Sequence, residues 1–252
     1  MTEIELIIDL HKDTDRQGPG SESDTLKALE FIHFPEGSPL KVADIGCGTG
    51  GQTITLAQNI QGHITAVDLF PEFLRPLSDR AKRLGLEHKI RCLEKSMEDL
   101  SFAEKEFDLI WSEGAIYIMG FENGIKQWKR FLKDGGYLAI SEITWTTNSR
   151  PDEINDFWSG EYPEIDTASN KIKILENNGF SLMGYFTLSQ DSWMTNYYIP
   201  LETRFDAFLE RHRNSDLARK IVSDYQSEIE LYKRFKAYYS YGFYIVKKTE
   251  EL

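Results

Sequence analysis

The stretch "KVADIGCGTGGQT" at residues 41–53 constrains the fold more than any other part of the chain. An apolar run that stops at a cluster of glycines, followed by a helix-forming segment, is a strand, a tight loop and a helix. The same rhythm returns downstream. "HITAVD" (63–68) is predicted as a strand, with a helix over 71–85 that has Pro71 in its first turn and Gly85 at its end. "KIRCLE" (89–94), "FDLIWS" (107–112) and "YLAISEITW" (137–145) are further strands. A helix is expected over 121–133, with Asp134-Gly135-Gly136 as the turn into the last of these strands. Strands alternating with helices at this spacing predict a parallel sheet covered on both faces.

Outside that block the pattern is different. Residues 3–10 are predicted as a short helix, followed by the polar, turn-rich "HKDTDRQGPGSES". Ser21 and Asp24 have capping spacing ahead of a helix carrying Leu26, Leu29 and Ile32. Late in the chain, 163–178 is expected to be helical, and 180–188 and 241–248 to be strands. The fifty or so residues between those two strands carry two apolar stripes at helical spacing. Leu201, Phe205, Phe208, Leu209 and His212 form one; Leu217, Ile221, Tyr225, Ile229 and Tyr232 form the other. An insertion of that length with structure of its own is expected to be functional.

The chain has 252 residues and a net charge of −12, which disfavours nucleic acid as a partner and fits a solvated surface. No apolar run approaches the roughly 20 residues needed to span a bilayer. Two widely separated cysteines, Cys47 and Cys92, make neither a disulfide framework nor a zinc site, and the five histidines show no metal spacing. The acidic start is unlike a secretion signal, so a cytoplasmic setting is expected. Oligomeric state is open.

Gly46, Gly48 and Gly51 match the G-x-G-x-x-G spacing of a dinucleotide site, a weak signal alone. Asp44, two positions before the first glycine, argues against it. A pyrophosphate there would face a buried carboxylate, whereas a cationic, phosphate-free nucleoside such as S-adenosylmethionine would be favoured. Asp44 equally suits a carboxylate that accepts hydrogen bonds from the loop amides. Asp68, at the end of the next strand, is placed to hold a ribose in either case, or to cap the helix that follows.

Five segments in order, "VADIGCGTGGQT", "ITAVDLFPEFL", "KSMEDLSF", "FDLIWSEGAIYIMG" and "LKDGGYLAISE", resemble the successive motifs of class I S-adenosylmethionine-dependent methyltransferases. The branch they resemble most is the small-molecule one of the quinone-biosynthesis C-methyltransferases. The resemblance implies a Rossmann-like, doubly wound α/β fold with a seven-stranded mixed sheet in the order 3-2-1-4-5-7-6. It implies one domain over 1–252, with an N-terminal flap over 1–24 that includes "RQGPGS" and a helical cap inserted at 190–239. By position, Gly46, Gly48 and Gly50 would line the methionine half of the cofactor, Asp68 the ribose and Leu69 the adenine. Ser96 and Met97 would bracket the adenine edge, where relatives often carry Asp-Ala. Ser112 would lie near the methyl donor, Gln52 near the cofactor carboxylate or simply on an exposed helix face, and Arg16 and Gln17 near that carboxylate or the acceptor, with a surface turn as the plain alternative for Arg16.

Methyl transfer is an in-line displacement that needs alignment and exclusion of water more than a catalytic dyad. Glu113, just past the fourth strand, is the candidate for orienting the acceptor or taking a proton, with a plain loop carboxylate as its alternative. Tyr117, Trp193, Tyr197 and Tyr198 are candidates for the wall of an acceptor pocket suited to an apolar or aromatic small molecule, or simply pack the insertion. Two rival readings stand beside methyl transfer: an NAD-dependent oxidoreductase, and a non-catalytic S-adenosylmethionine-binding sensor or partner.

Overall fold

A computed structural model describes residues 1–34 and 37–249. One sheet runs through the molecule in the order β3-β2-β1-β4-β5-β8-β7, with a short β6 added beside β5. The strands are β1 (Leu40–Ile45), β2 (Gly62–Asp68), β3 (Ile90–Glu94), β4 (Phe107–Glu113), β5 (Leu132–Trp145), β6 (Asp166–Thr167), β7 (Phe180–Thr187) and β8 (Tyr239–Lys248). β1 to β6 pair in parallel, and β8 is antiparallel to both β5 and β7. This is the expected order with one two-residue strand added.

Alternation along the central strands divides the core in two. Ala43, Ile110, Leu138 and Tyr244 pack on one face with α5 (Phe121–Lys129) and α7 (Ala168–Asn177). Val42, Leu109, Ala139, Phe243 and Ile245 pack on the other with α2 (Glu22–Leu29) and α3 (Gly51–Asn59). Strands buried on both faces explain the near-continuous apolar runs of the sequence. α4 (Pro71–Arg83) covers the β2–β3 side through Leu74, Leu77 and Ala81.

Three local expectations need correction. Asp134-Gly135-Gly136 is not a turn before a strand. The pairing with β4 jumps from Phe107↔Leu132 to Leu109↔Tyr137, so these residues form a bulge within β5, where Gly135 has φ 71. The helix before it therefore ends at Lys129 rather than at 133. The helix expected over 163–178 starts only at α7, because β6 occupies Asp166–Thr167, and an unexpected helix, α6 (Asp152–Glu161), precedes both.

A third core lies beyond the carboxyl edge of the sheet. It joins α1 (Glu3–His11), through Leu6 and Leu10, to the helices of the late insertion and to the ends of β5 and β8. Those helices are α8 (Gln190–Trp193), a π-helical turn (Met194–Tyr198), α9 (Ile199–Glu202), α10 (Phe205–Arg211) and α11 (Asp216–Phe235). Leu201, Phe205, Phe208, Ile221, Ile229 and Tyr232, from both predicted stripes, are all buried there. Among the described residues no helix is long and apolar enough to cross a membrane.

Candidate active site

A cavity of about 730 Å³ opens between the carboxyl edge of the sheet and the third core, within the range of small-molecule sites. Its floor is the glycine loop. Gly46, Gly48 and Gly50 all have positive φ (75, 55 and 82), a region that glycine adopts without strain. A side chain on Gly46 would come within 2.4 Å of Ala115 Cβ, and one on Gly48 within 1.9 Å of Gln17 Oε1. Bare backbone is thus required where the turn after β4 and the N-terminal segment approach the loop. Gly46 and Gly48 line the cavity; Gly50 instead packs against Leu77 and starts α3.

Asp68 closes the β2 end. Its Oδ2 accepts from Gly48 N–H at 2.9 Å and its Oδ1 from Phe70 N–H at 3.0 Å. Burial raises its pKa, and these amide donors oppose the shift. Leu69, Ser96 and Met97 line the same end, with Leu69 half exposed toward it. Gln17 lies on the loop: its Oε1 accepts from Thr49 N–H at 2.8 Å and its Nε2 donates to Thr49 Oγ1 at 3.0 Å.

Asp44 lies elsewhere than expected. It is fully buried behind the loop and is not part of the cavity wall. Thr53 Oγ1 donates to it at 2.5 Å and Gln52 Nε2 at 3.4 Å, both from α3 rather than from loop amides. Burial raises its pKa to about 7. Its charge therefore does not meet a ligand directly, and the electrostatic case against a pyrophosphate loses its contact. Gln52 reaches the wall, but its amide is committed to Asp44 and to Cys47 O at 3.2 Å. Ser112 is fully buried, its hydroxyl without a partner among the described residues, and does not line the cavity.

Glu113 is in the wall and is firmly held. It accepts from Arg16 Nη1 at 2.5 Å, Thr25 Oγ1 at 2.8 Å and Trp111 Nε1 at 2.9 Å. These three donors make it an anchor for the N-terminal segment. Arg16, a surface turn in the plainest sequence reading, is the buried partner, with 10% of its side chain exposed.

Of the expected acceptor wall, Tyr117, Trp193 and Tyr197 line the cavity. Tyr198 does not: it is fully buried and donates to Glu228 Oε1 at 2.8 Å. Sequence reasoning missed the polar groups of this half. His11 lines it from α1, with Nε2 2.8 Å from the Tyr225 hydroxyl and Nδ1 without a partner among the described residues. Burial, and the nearby Arg204, lower the His11 pKa to about 4, so the ring is neutral at physiological pH. Glu142 lines it from β5, 1% exposed, with Oε1 accepting no hydrogen bond and Lys171 Nζ 3.6 Å away. Burial pushes Glu142 up to about 7 against the pull of Lys171. One signal was available: a carboxylate in the middle of an apolar strand needs a reason.

The N-terminal segment is stitched to the late helices above the cavity. Gly20 N–H donates to Ser192 O (3.2 Å), Ser192 Oγ to Asp24 Oδ2 (2.6 Å) and Asn196 Nδ2 to Gly20 O (3.2 Å). Arg204 Nε donates to Leu10 O at 3.1 Å, and Asp9 accepts from Arg211 Nε at 2.7 Å.

Comparison with known proteins gives this geometry its class. Residues 42–136 match the family model described as a methyltransferase domain. A sterol 24-C-methyltransferase of Aspergillus fumigatus is 25% identical over 180 residues, 66% of this chain and 46% of that protein. The quinone-biosynthesis C-methyltransferase UbiE of Rhizobium meliloti is 28% identical over 134 residues, 52% of each chain. The chain thus spans about half the length of these relatives. A crystal structure of an S-adenosylmethionine-dependent methyltransferase from Geobacter sulfurreducens, with S-adenosylhomocysteine, has a TM-score of 0.81 at 18% identity and covers 98% of both chains. With its strand order and glycine loop, the chain has the fold of class I S-adenosylmethionine-dependent methyltransferases, and residues 42–136 match the methyltransferase-domain model. It is also similar to the UbiE enzyme of Sinorhizobium fredii, 29% identical over 134 residues, 52% of each chain.

Proposed function

We propose that the protein transfers a methyl group from S-adenosylmethionine to a small-molecule acceptor. The supporting observation is one continuous cavity that runs from the glycine loop to the late helices. The residues at its loop end fit the donor. The loop offers bare backbone, Asp68 keeps lone pairs for ribose hydroxyls beside its two amide donors, and Leu69 and Met97 give apolar surface for a base. Gly46, Gly48, Asp68, Leu69, Ser96 and Met97 would hold the cofactor, with Gln17 keeping the loop in place. Asp44, Gly50, Gln52 and Ser112 would support that set from behind.

The bound cofactor supplies a methyl group activated by a sulfonium. The chain supplies alignment and exclusion of water. Residues 1–24 act as a flap held by the Arg16–Glu113 pair, and 190–239 as a cap, the two closing over one acceptor space within a single domain. Tyr117, Trp193 and Tyr197 suit an acceptor with an apolar or aromatic body. The setting is cytoplasmic, consistent with two unpaired cysteines, and cell fractionation should place the protein there.

Calorimetry with S-adenosylhomocysteine tests the donor, and release of that product across a metabolite panel tests the transfer. Binding of NAD in its place would sink the proposal. Binding with no turnover on any acceptor would leave a sensor.

A further inference from the structure

Among the described residues the cavity wall carries six carboxylates, Asp68, Glu98, Glu113, Glu142, Glu161 and Glu228, against two fixed cations, Arg16 and Lys95. Both cations are spent on carboxylates. Arg16 pairs with Glu113 at 2.5 Å, and Lys95 with Asp99 at 3.3 Å. The acceptor half therefore presents Glu142 from β5, Glu161 from the end of α6 and Glu228 from α11, of which Glu142 already has Lys171 Nζ 3.6 Å from its Oε1. His11 adds no charge, because burial keeps it neutral. Lys171 stands near Glu142 but outside the wall.

These carboxylates face one space. Tyr117 and Tyr241 each lie within electrostatic reach of both Glu142 and Glu228, and Glu228 also feels Glu161. A buried carboxylate oxygen without a donor is costly, and Glu142 Oε1 is one. The Tyr162 hydroxyl in the same wall acts on Glu142 but, among the described residues, completes no full hydrogen bond. Glu228 receives a single hydrogen bond, from Tyr198. Around these acids the wall is aromatic: Trp158, Tyr162, Trp193, Tyr197, Tyr225 and Tyr241. Ring faces and desolvated carboxylates together are the recognition chemistry of an organic cation.

We propose that the acceptor half binds a small organic amine in its ammonium form, with the charged nitrogen between Glu142 and Glu228 and its apolar body against the aromatic wall. This rests on the methyl-transfer reading and names the acceptor class for it. Glu142 Oε1 is the group placed to receive the proton that the ammonium gives up before its nitrogen can act as a nucleophile. Burial raises both carboxyl groups, Glu142 to about 7, and a cation between them offsets that penalty for each. The groups acting on Glu142 are Lys171, Tyr162 and Glu164; those acting on Glu228 are Tyr198 and Glu161.

The test uses three probes on one carbon frame: phenethylamine, 2-phenylethanol and phenylacetate. Each is titrated calorimetrically into the full chain saturated with S-adenosylhomocysteine. The amine should bind at least about tenfold tighter than the alcohol, and the acid weakest of all. E142Q and E228Q should each cut amine affinity by about tenfold and leave the alcohol unchanged. Binding of S-adenosylhomocysteine by each variant shows that it has folded. E161Q, at an exposed position, gives a third variant if one of the buried pair fails. Equal or weaker binding of the amine, no binding of any probe, or amine affinity indifferent to all three substitutions overturns the proposal. Failure of the wild-type chain to bind S-adenosylhomocysteine fails the methyl-transfer reading instead.

Discussion

The two ends of the cavity are built in different ways. At the glycine loop the shape is made by backbone: positive-φ glycines within a few residues of one another, and an acid whose oxygens are held by main-chain amides. At the acceptor end the shape is made by side chains drawn from far apart. His11, Glu142, Trp158, Trp193 and Glu228 come from five separate elements. The first end tolerates almost no added atoms, while the second tolerates atoms but not unbalanced charge.

The largest expected effect tests charge at the acceptor end. Lys171, 1% exposed, is the cation beside Glu142, and it also lies 4.3 Å over the Phe121 ring. Lys171→Met leaves a buried carboxylate without a counter-charge, at a cost of about 3–5 kcal/mol. The sign with pH follows from Glu142. Its carboxyl is raised above its ordinary value, so the folded state holds the proton more tightly than the unfolded chain, and stability falls as pH rises from about 4.5 to about 7. Without Lys171 the carboxyl rises further, so the variant should melt well below wild type at pH 8 and closer to it at pH 5. Glu142→Gln added to Lys171→Met should recover much of the loss. A deficit that does not change with pH would mean that lost packing, not lost charge, is responsible.

The next effect tests atoms at the loop. Gly46→Ala forces φ 75 on a residue with a side chain and places Cβ 2.4 Å from Ala115 Cβ. S-adenosylhomocysteine should bind at least about 100-fold more weakly while circular dichroism stays native. Unchanged affinity would show that the loop is softer than its geometry implies.

A smaller effect lies between the two ends. Arg16→Ala strips Glu113 of its charged partner and frees the N-terminal segment. Amide exchange over residues 12–21 should quicken, with about a tenfold loss of S-adenosylhomocysteine affinity. Arg16→Lys should restore little, because the guanidinium also donates from Nη2 to Thr25 Oγ1 at 3.2 Å. Exchange at the wild-type rate would remove Arg16 as the anchor.

The smallest effect is at Asp9. Burial opposes its ionisation, but hydrogen bonds from Lys12, His212 and Arg211 hold it well below the usual carboxylate range. Its contribution is present above the unfolded value near 3.8 and is lost as pH falls below it. Protection of α1 against exchange should therefore weaken between pH 5 and pH 3, and Asp9→Asn should flatten that change.

The same contrast decides what could be read from the sequence. Strand, loop and helix over 40–68 are local, and each glycine sits beside the residues it serves, so spacing revealed them. The sheet order followed from the family resemblance, and the apolar runs agreed with it. Asp44 shows the limit of local reading: its position suggested a ligand contact, but two donors on the next helix turn it away from the cavity. Glu113 shows a second limit, since its role depends on Arg16, 97 residues earlier. Nothing near Glu142 in sequence announces Lys171, and nothing near His11 announces Tyr225, 214 positions on. Such partners meet only once the sheet has brought both ends of the chain to one edge.

The π-helical turn over Met194–Tyr198 makes the acceptor end sensitive to chain length. A π turn is an α-helix with one residue inserted; here it carries Tyr197, which lines the cavity, and Tyr198, whose hydroxyl donates to Glu228. Deleting one residue there would restore the regular pitch and rotate everything on one side by about 100° against the other. A one-residue deletion there would thus change which side chains wall the acceptor pocket and would also disturb the bonds from Ser192 and Asn196 to the N-terminal segment.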